Sequence, residues 1–167
     1  MTAAPTGYSR LQIGLHWLIV LMVVVQLVVA DAMSELFDAM EEGETASASE
    51  LFGGNLHYWM GLAILAVMLI RLFLRLTRGV PAHASGGEDV PTWQTRAASI
   101  VHWALYAVLI AAPLSGLVAW YRLADNGEIH GLVRPILILL VAIHIGAALY
   151  NQFVRKDGTL TRMARPG

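Results

Sequence analysis

Apolar residues gather into four long blocks separated by short polar stretches. Leu11 to Ala30 carries no charge at all, and Leu56 to Ile70 is apolar and runs on through Arg71 and Arg75. Ala97 to Tyr121 is uncharged apart from its histidine, and Gly131 to Val154 is interrupted only by Arg134, Pro135 and His144. About 20 apolar residues rising ~1.5 Å each cross the hydrocarbon of a bilayer. Arginine near a helix end reaches the headgroups through its long stem. The pattern predicts an all-α, integral membrane four-helix bundle in a single domain over 1–167, with spans at about 11–31, 55–77, 97–121 and 130–154. The connections are an acidic segment, a Pro/Gly/His loop from Val80 to Trp93 and a short turn from Arg122 to Ile129. The first block is expected to stay as a span. Ala30-Asp31-Ala32 has the form of a signal-peptide cleavage site, but the apolar run is too long for one and three more spans follow.

Composition agrees with a membrane setting. Of 167 residues, 57% are hydrophobic and only 14% charged, too little charge to cover a soluble domain. A net charge of −1 gives no reason for a nucleic-acid partner. Cysteine is absent, which excludes disulfides, cysteine-ligated iron–sulfur clusters, covalent c-type haem, thiolate-ligated haem and thiol catalysis.

Charge also sets an orientation. Arg10, Arg71, Arg75, Arg78, Arg96, Arg155, Lys156, Arg162 and Arg165 all fall on one side of a four-span topology, with Arg122 and Arg134 towards the other. Basic residues stay inside, so both termini are expected in the cytoplasm. Asp31, Glu35, Asp38, Glu41, Glu42, Glu44 and Glu50, seven of the twelve acids, then face the periplasm.

Histidines carry the candidate chemistry, because an ionisable residue inside a span is a functional hypothesis by default. His130 and His144 are fourteen residues apart, about 21 Å and nearly four turns of helix, so they share a face at two depths. His57 stands level with His130 at the periplasmic end, and His16 level with His144 at the cytoplasmic end. Each pair links two helices, and bundles build cofactor sites from facing side chains of this kind. Zinc takes four protein ligands, or three and water, and no carboxylate or thiol accompanies either pair. Haem iron needs only two axial groups, so paired imidazoles suit a six-coordinate b-type haem, which carries electrons rather than binding oxygen. Gly14, Gly61, Gly131 and Gly146 lie within four residues of these histidines, where a missing side chain admits a flat macrocycle or simply a neighbouring helix. Two other readings stay open: interhelical hydrogen bonds, worth ~0.6 kcal/mol each on average, and a haem-free channel or transporter in which imidazoles relay protons.

Several stretches resemble the bacterial cytochrome b561 family: "YSRLQIGLHWL" (Tyr8 to Leu18), "NLHYWMGLAIL" (Asn55 to Leu65), "VHWALYAVLIAAPLSG" (Val101 to Gly116) and "RKDGTLTRM" (Arg155 to Met163). The fourteen-residue histidine spacing is similar too, and is shared with the cytochrome b subunits of formate dehydrogenases and nickel–iron hydrogenases. The resemblance covers nearly the whole chain. It implies a bacterial inner-membrane, multi-pass protein with two b haems that exchanges electrons with ubiquinone or another quinone, one member type being a superoxide oxidase. Carried over, His16 and His144 hold the cytoplasmic haem, and His57 and His130 the periplasmic one. His102 matches a family position and is expected to hydrogen-bond a quinone carbonyl or a haem propionate; Tyr106 and Arg71 are further candidates there, as quinone or propionate contacts or in proton delivery. Arg134 is expected to pair with a propionate or to snorkel to lipid phosphate, and His83 to sit exposed in its loop.

Two departures bear on the electron donor. The acidic segment is unusual for the family, and Gly131 follows His130 where a carboxylate is expected, with Glu128 before it instead. The expected function is therefore superoxide:ubiquinone oxidoreductase. The alternative is a haem-bearing anchor for a separate dehydrogenase or hydrogenase subunit. "DAMSELFDAMEE" would be its docking element, or else a helix resting on the membrane surface.

Overall fold

The computed structural model describes residues 7–81, 91–123 and 127–167. These residues form α1 (Arg10–Val28), α2 (Ala30–Glu42), α3 (Ala48–Arg78), α4 (Thr92–Trp120), the short α5 (Gly127–Gly131), α6 (Val133–Leu149) and the single turn α7 (Thr159–Arg162). No strand occurs among them. Four helical stretches are long and apolar enough to cross a membrane: α1, α3, α4 and Gly127–Val154. His83 lies outside the described residues.

Capping chemistry decides where the helices begin. Ser9 Oγ accepts from the Gln12 N–H (3.3 Å) while Gln12 Oε1 accepts from the Ser9 N–H (3.0 Å), a reciprocal box that satisfies two orphan donors. Ser47 and Glu50 repeat it at the start of α3. Gln12 also donates to the Gly79 carbonyl (3.3 Å), tying the start of α1 to the end of α3.

The acidic segment is largely helical. The chain breaks at Val29, and α2 then packs on the first turns of α3. Leu36, only 4% exposed, sits over Gly54, and Ala32 over Gly53; a β-carbon at either glycine would collide with that partner. Close approach of two backbones is what small residues provide. Asp31, Glu35, Glu41 and Glu42 remain exposed. Gly43, at φ +72, ends α2 in the left-handed conformation that glycine adopts without strain. At 31 residues α3 is about 46 Å long, well beyond the ~30 Å hydrocarbon core, so it has turns to spare for α2.

The four long helices share one apolar layer: Ile19, Met22 and Val23 from α1, Ile64 and Met68 from α3, Leu109 from α4 and Leu137 from α6. Outward-facing Leu21, Phe73, Ile100 and Leu139 are all more than 60% exposed, as lipid-facing side chains must be. After α6 the helix widens into one π turn (Tyr150–Val154), reverses at Lys156 and Gly158, and returns through α7. There the Trp17 indole N–H donates to the Met163 carbonyl (2.8 Å) and the Gly167 N–H to Tyr8 (3.4 Å). Both chain ends therefore meet at one end of the bundle.

Replacing Gly53 or Gly54 by leucine is expected to expel α2 and cost about 1–3 kcal/mol, the usual range for overpacking. Thermal unfolding in detergent, with protease cleavage inside α2, reads this. An unchanged melting temperature and a protected α2 would contradict the packing described.

Candidate functional site

His57 from α3 and His130 from α5 meet at the end of the bundle away from the termini, with ring centroids 6.1 Å apart and planes at 82°. His130 sits on a helix of only five residues, so its orientation comes from α4. Ser115 Oγ lies 3.1 Å from His130 Nδ1 and itself donates to the Ala112 carbonyl (2.8 Å). Gly116 faces the same imidazole; a β-carbon there would stand 3.0 Å from Cε1 and 3.5 Å from Nε2. Across the gap, the His57 carbonyl accepts from Gln26 Nε2 of α1 (3.0 Å). His57 Nδ1 and Gln26 Oε1 are buried and have no hydrogen-bond partner among the described residues. Such atoms cost about 1–3 kcal/mol each unless something from outside the chain takes them.

These groups wall a cavity of about 520 Å³, lined by His57, His130, Gly61, Gly116, Leu109 and Leu137 and roofed by Met33 and Phe37 of α2. Cofactor cavities run from roughly 300 to 1,000 Å³. Aromatic rings crowd its outer edge. Tyr58 lies 5.3 Å from Trp120, Phe37 meets Trp120 edge-on at 5.6 Å, and the Tyr58 and Tyr121 hydroxyls are 3.2 Å apart. Arg134 also lines the cavity, but its guanidinium reaches both carboxylate oxygens of Asp31, pinning α2 to α6.

His16 from α1 and His144 from α6 meet at the terminal end, with centroids 6.3 Å apart. His102 comes closer to His144, at 5.1 Å, so three imidazoles gather here. Two metal–imidazole bonds of roughly 2 Å, end to end with the two ring radii, span about 6 Å. By that measure the separations at His57–His130 and His16–His144 fit an iron held between them, and His102–His144 is too close. Among the described residues no group of three or more histidines and carboxylates is arranged to hold a bare metal ion.

A cationic cluster lies beside the terminal-end pair. Arg71 donates to the Gln12 carbonyl (3.1 Å) and lies close enough to Tyr106, His16 and His144 to act on all three. Arg75 stacks over Trp103 (4.8 Å) and Tyr106 (5.4 Å). Neither arginine pairs with a carboxylate among the described residues. Tyr8, ahead of α1, is half-buried beside them; that burial pushes its phenol up, outweighing the opposing pull of Arg75, Arg71 and Arg162, so it stays protonated at neutral pH.

All the histidines singled out within the spans thus come together at one end or the other. Pattern reading missed Ser115, Gly116, Gln26, Tyr8 and Tyr58. Gln26 left a signal, as a lone amide deep in an apolar block. Ser115 left none, because serine in a membrane helix ordinarily bonds its own backbone.

The chain matches the profile of prokaryotic cytochrome b561 over residues 7–166. It is 32% identical to cytochrome b562 of Cereibacter sphaeroides, with 99% of each chain covered. It is 30% identical to cytochrome b561 homolog 1 of Escherichia coli K12, covering 93% of this chain and 96% of that one. It is also 26% identical to a Yersinia pestis protein named probable superoxide oxidase CybB, covering 93% of this chain and 94% of the relative. With four membrane-crossing helices, histidine pairs in their core and a family match along almost its entire length, the chain belongs to the prokaryotic cytochrome b561 family, the haem-bearing electron-transport proteins of the bacterial inner membrane.

Proposed function

We propose that this chain carries two b haems, one held by His57 and His130 and one by His16 and His144, and passes electrons from periplasmic superoxide to a quinone. The observation that carries the reading is the pair of matched imidazole separations, 6.1 and 6.3 Å, at two levels of one bundle. The Yersinia pestis relative's name supports superoxide as the donor. With both axial positions filled by imidazole, a b-type haem takes up and returns single electrons without opening a site for oxygen.

The chain's own residues set the conditions. Leu137 stands seven residues from each histidine of span 4, and the apolar layer around it keeps water from between the two pairs. Arg134 would divide its fork between Asp31 and a propionate. At the terminal end Arg71, Tyr106 and His102 would bind the quinone or a propionate, with Tyr8 a phenolic donor beside them. Two superoxide anions give two molecules of oxygen and two electrons; the quinone takes those electrons and two protons to become the quinol. Superoxide oxidation needs no proton transfer, so proton-handling side chains belong at the quinone end. The nine basic residues on the terminal side support a cytoplasmic location for that end.

One observation favours a different donor. The outer surface of α2 is exposed and acidic, a field that repels superoxide and attracts a basic protein partner. Under this second reading the chain is the membrane anchor of a dehydrogenase or hydrogenase.

Pyridine haemochrome analysis of the purified protein is expected to give two b haems per chain, falling to one in His57→Ala or His130→Ala and likewise in His16→Ala or His144→Ala. His102→Ala keeps two; its loss of a haem would reassign the terminal-end pair. Superoxide should reduce the wild-type protein and a quinone analogue reoxidise it, faster as salt rises and screens α2 over ~8 Å at physiological strength. Protein that superoxide leaves oxidised would support the anchor reading.

A further inference from the structure

We infer that Ser115 is a positioning residue for His130: it fixes the imidazole tautomer and lowers the reduction potential of the haem at the His57–His130 pair, and of that haem alone. The inference rests on the haem assignment proposed above.

Hydrogen count carries the argument. A serine hydroxyl has one proton, and Ser115 gives it to the Ala112 carbonyl at 2.8 Å. With the proton placed there, its oxygen is set to accept from the His130 ring, at 3.1 Å, and that bond calls for the hydrogen on Nδ1. Nε2 is left with a free lone pair, the atom a metal takes. Gly116 lets the ring lie against α4 in this orientation. An Nδ1–H···O bond pushes electron density towards Nε2 and makes the imidazole a stronger donor, which favours ferric over ferrous iron.

His57 lacks this arrangement. Its Nδ1 is without a partner among the described residues, and Gln26 holds its backbone rather than its ring. The two imidazoles of the pair are therefore unequal, and the hydroxyl on α4 is what distinguishes them. Pro113, two residues earlier, has no N–H for the Leu109 carbonyl, so the regular ladder of α4 is already relaxed on the wall that Leu109, Ala112 and Gly116 give the cavity.

Spectroelectrochemical titration of the complete haem-loaded protein tests this. Ser115→Ala should raise one of the two midpoint potentials by about 30 to 59 mV, a three- to tenfold change in a one-electron equilibrium, and leave the other in place. Ser115→Thr, which keeps the hydroxyl, should restore the wild-type value. Loss of one haem in Ser115→Ala with retention in Ser115→Thr would also support positioning. Two bound haems with unmoved potentials, both potentials moving together, or equal haem loss in both variants would overturn the inference alone. A wild-type protein with no haem at this pair would overturn it together with the assignment beneath it.

Discussion

An imidazole inside a membrane bundle has no water to bond, so each ring nitrogen must find a protein group or a ligand, or be left bare at a cost. Five histidines lie under that constraint here, and the surrounding structure can be read as the answer to it. On His130 one ring nitrogen lies 3.1 Å from the Ser115 hydroxyl. On His57 one nitrogen stays unpartnered over a cavity. At the terminal end the same demand gathers His102 beside His144 and brings Arg71 close to both ligand candidates there.

Helix packing follows from leaving room for these rings. The shared apolar layer lies between the two pairs, and both ends of the bundle are given over to polar and aromatic groups. Leu137 belongs to that layer because seven residues are nearly two turns, which keep it on the face of His130 and His144. Such a layer separates the two histidine pairs with low-dielectric material while holding their helices at a fixed distance.

The two ends are closed by different means. At the terminal end the C-terminal segment folds back through a π turn and two positive-φ residues until Trp17 and Met163 meet. At the opposite end α2 lies across the cavity, held by the glycine contacts with α3 and by Asp31 on Arg134. That ion pair gives Arg134 a carboxylate from the chain itself, where the sequence pointed to a propionate or to lipid. The acids of α2 consequently sit at the mouth of the cavity, which is why the identity of the donor turns on electrostatics.

How much of this was legible beforehand depends on range. Hydrophobic blocks of ~20 residues, basic residues on one side and a fourteen-residue histidine spacing are local or periodic features, and each follows from helix geometry and the bilayer's thickness. They were enough for an all-α membrane bundle and for the two levels at which His16, His57, His130 and His144 stand, while the family came from the resemblance of whole motifs. Contacts between distant segments were not legible in this way. Nothing about Ser115 announces that its oxygen meets a ring fifteen residues later, since a serine in a helix can always bond its own backbone. The collapse of α2 onto Gly53 and Gly54 likewise depends on two surfaces fitting at van der Waals range. By itself, then, the sequence determined the four membrane-spanning helices and the level of each histidine pair, because these follow from composition and periodicity along one chain. Only the tertiary structure decided which hydroxyl meets His130, which carboxylate takes Arg134 and what roofs the cavity, because those depend on where side chains from separate helices come to rest.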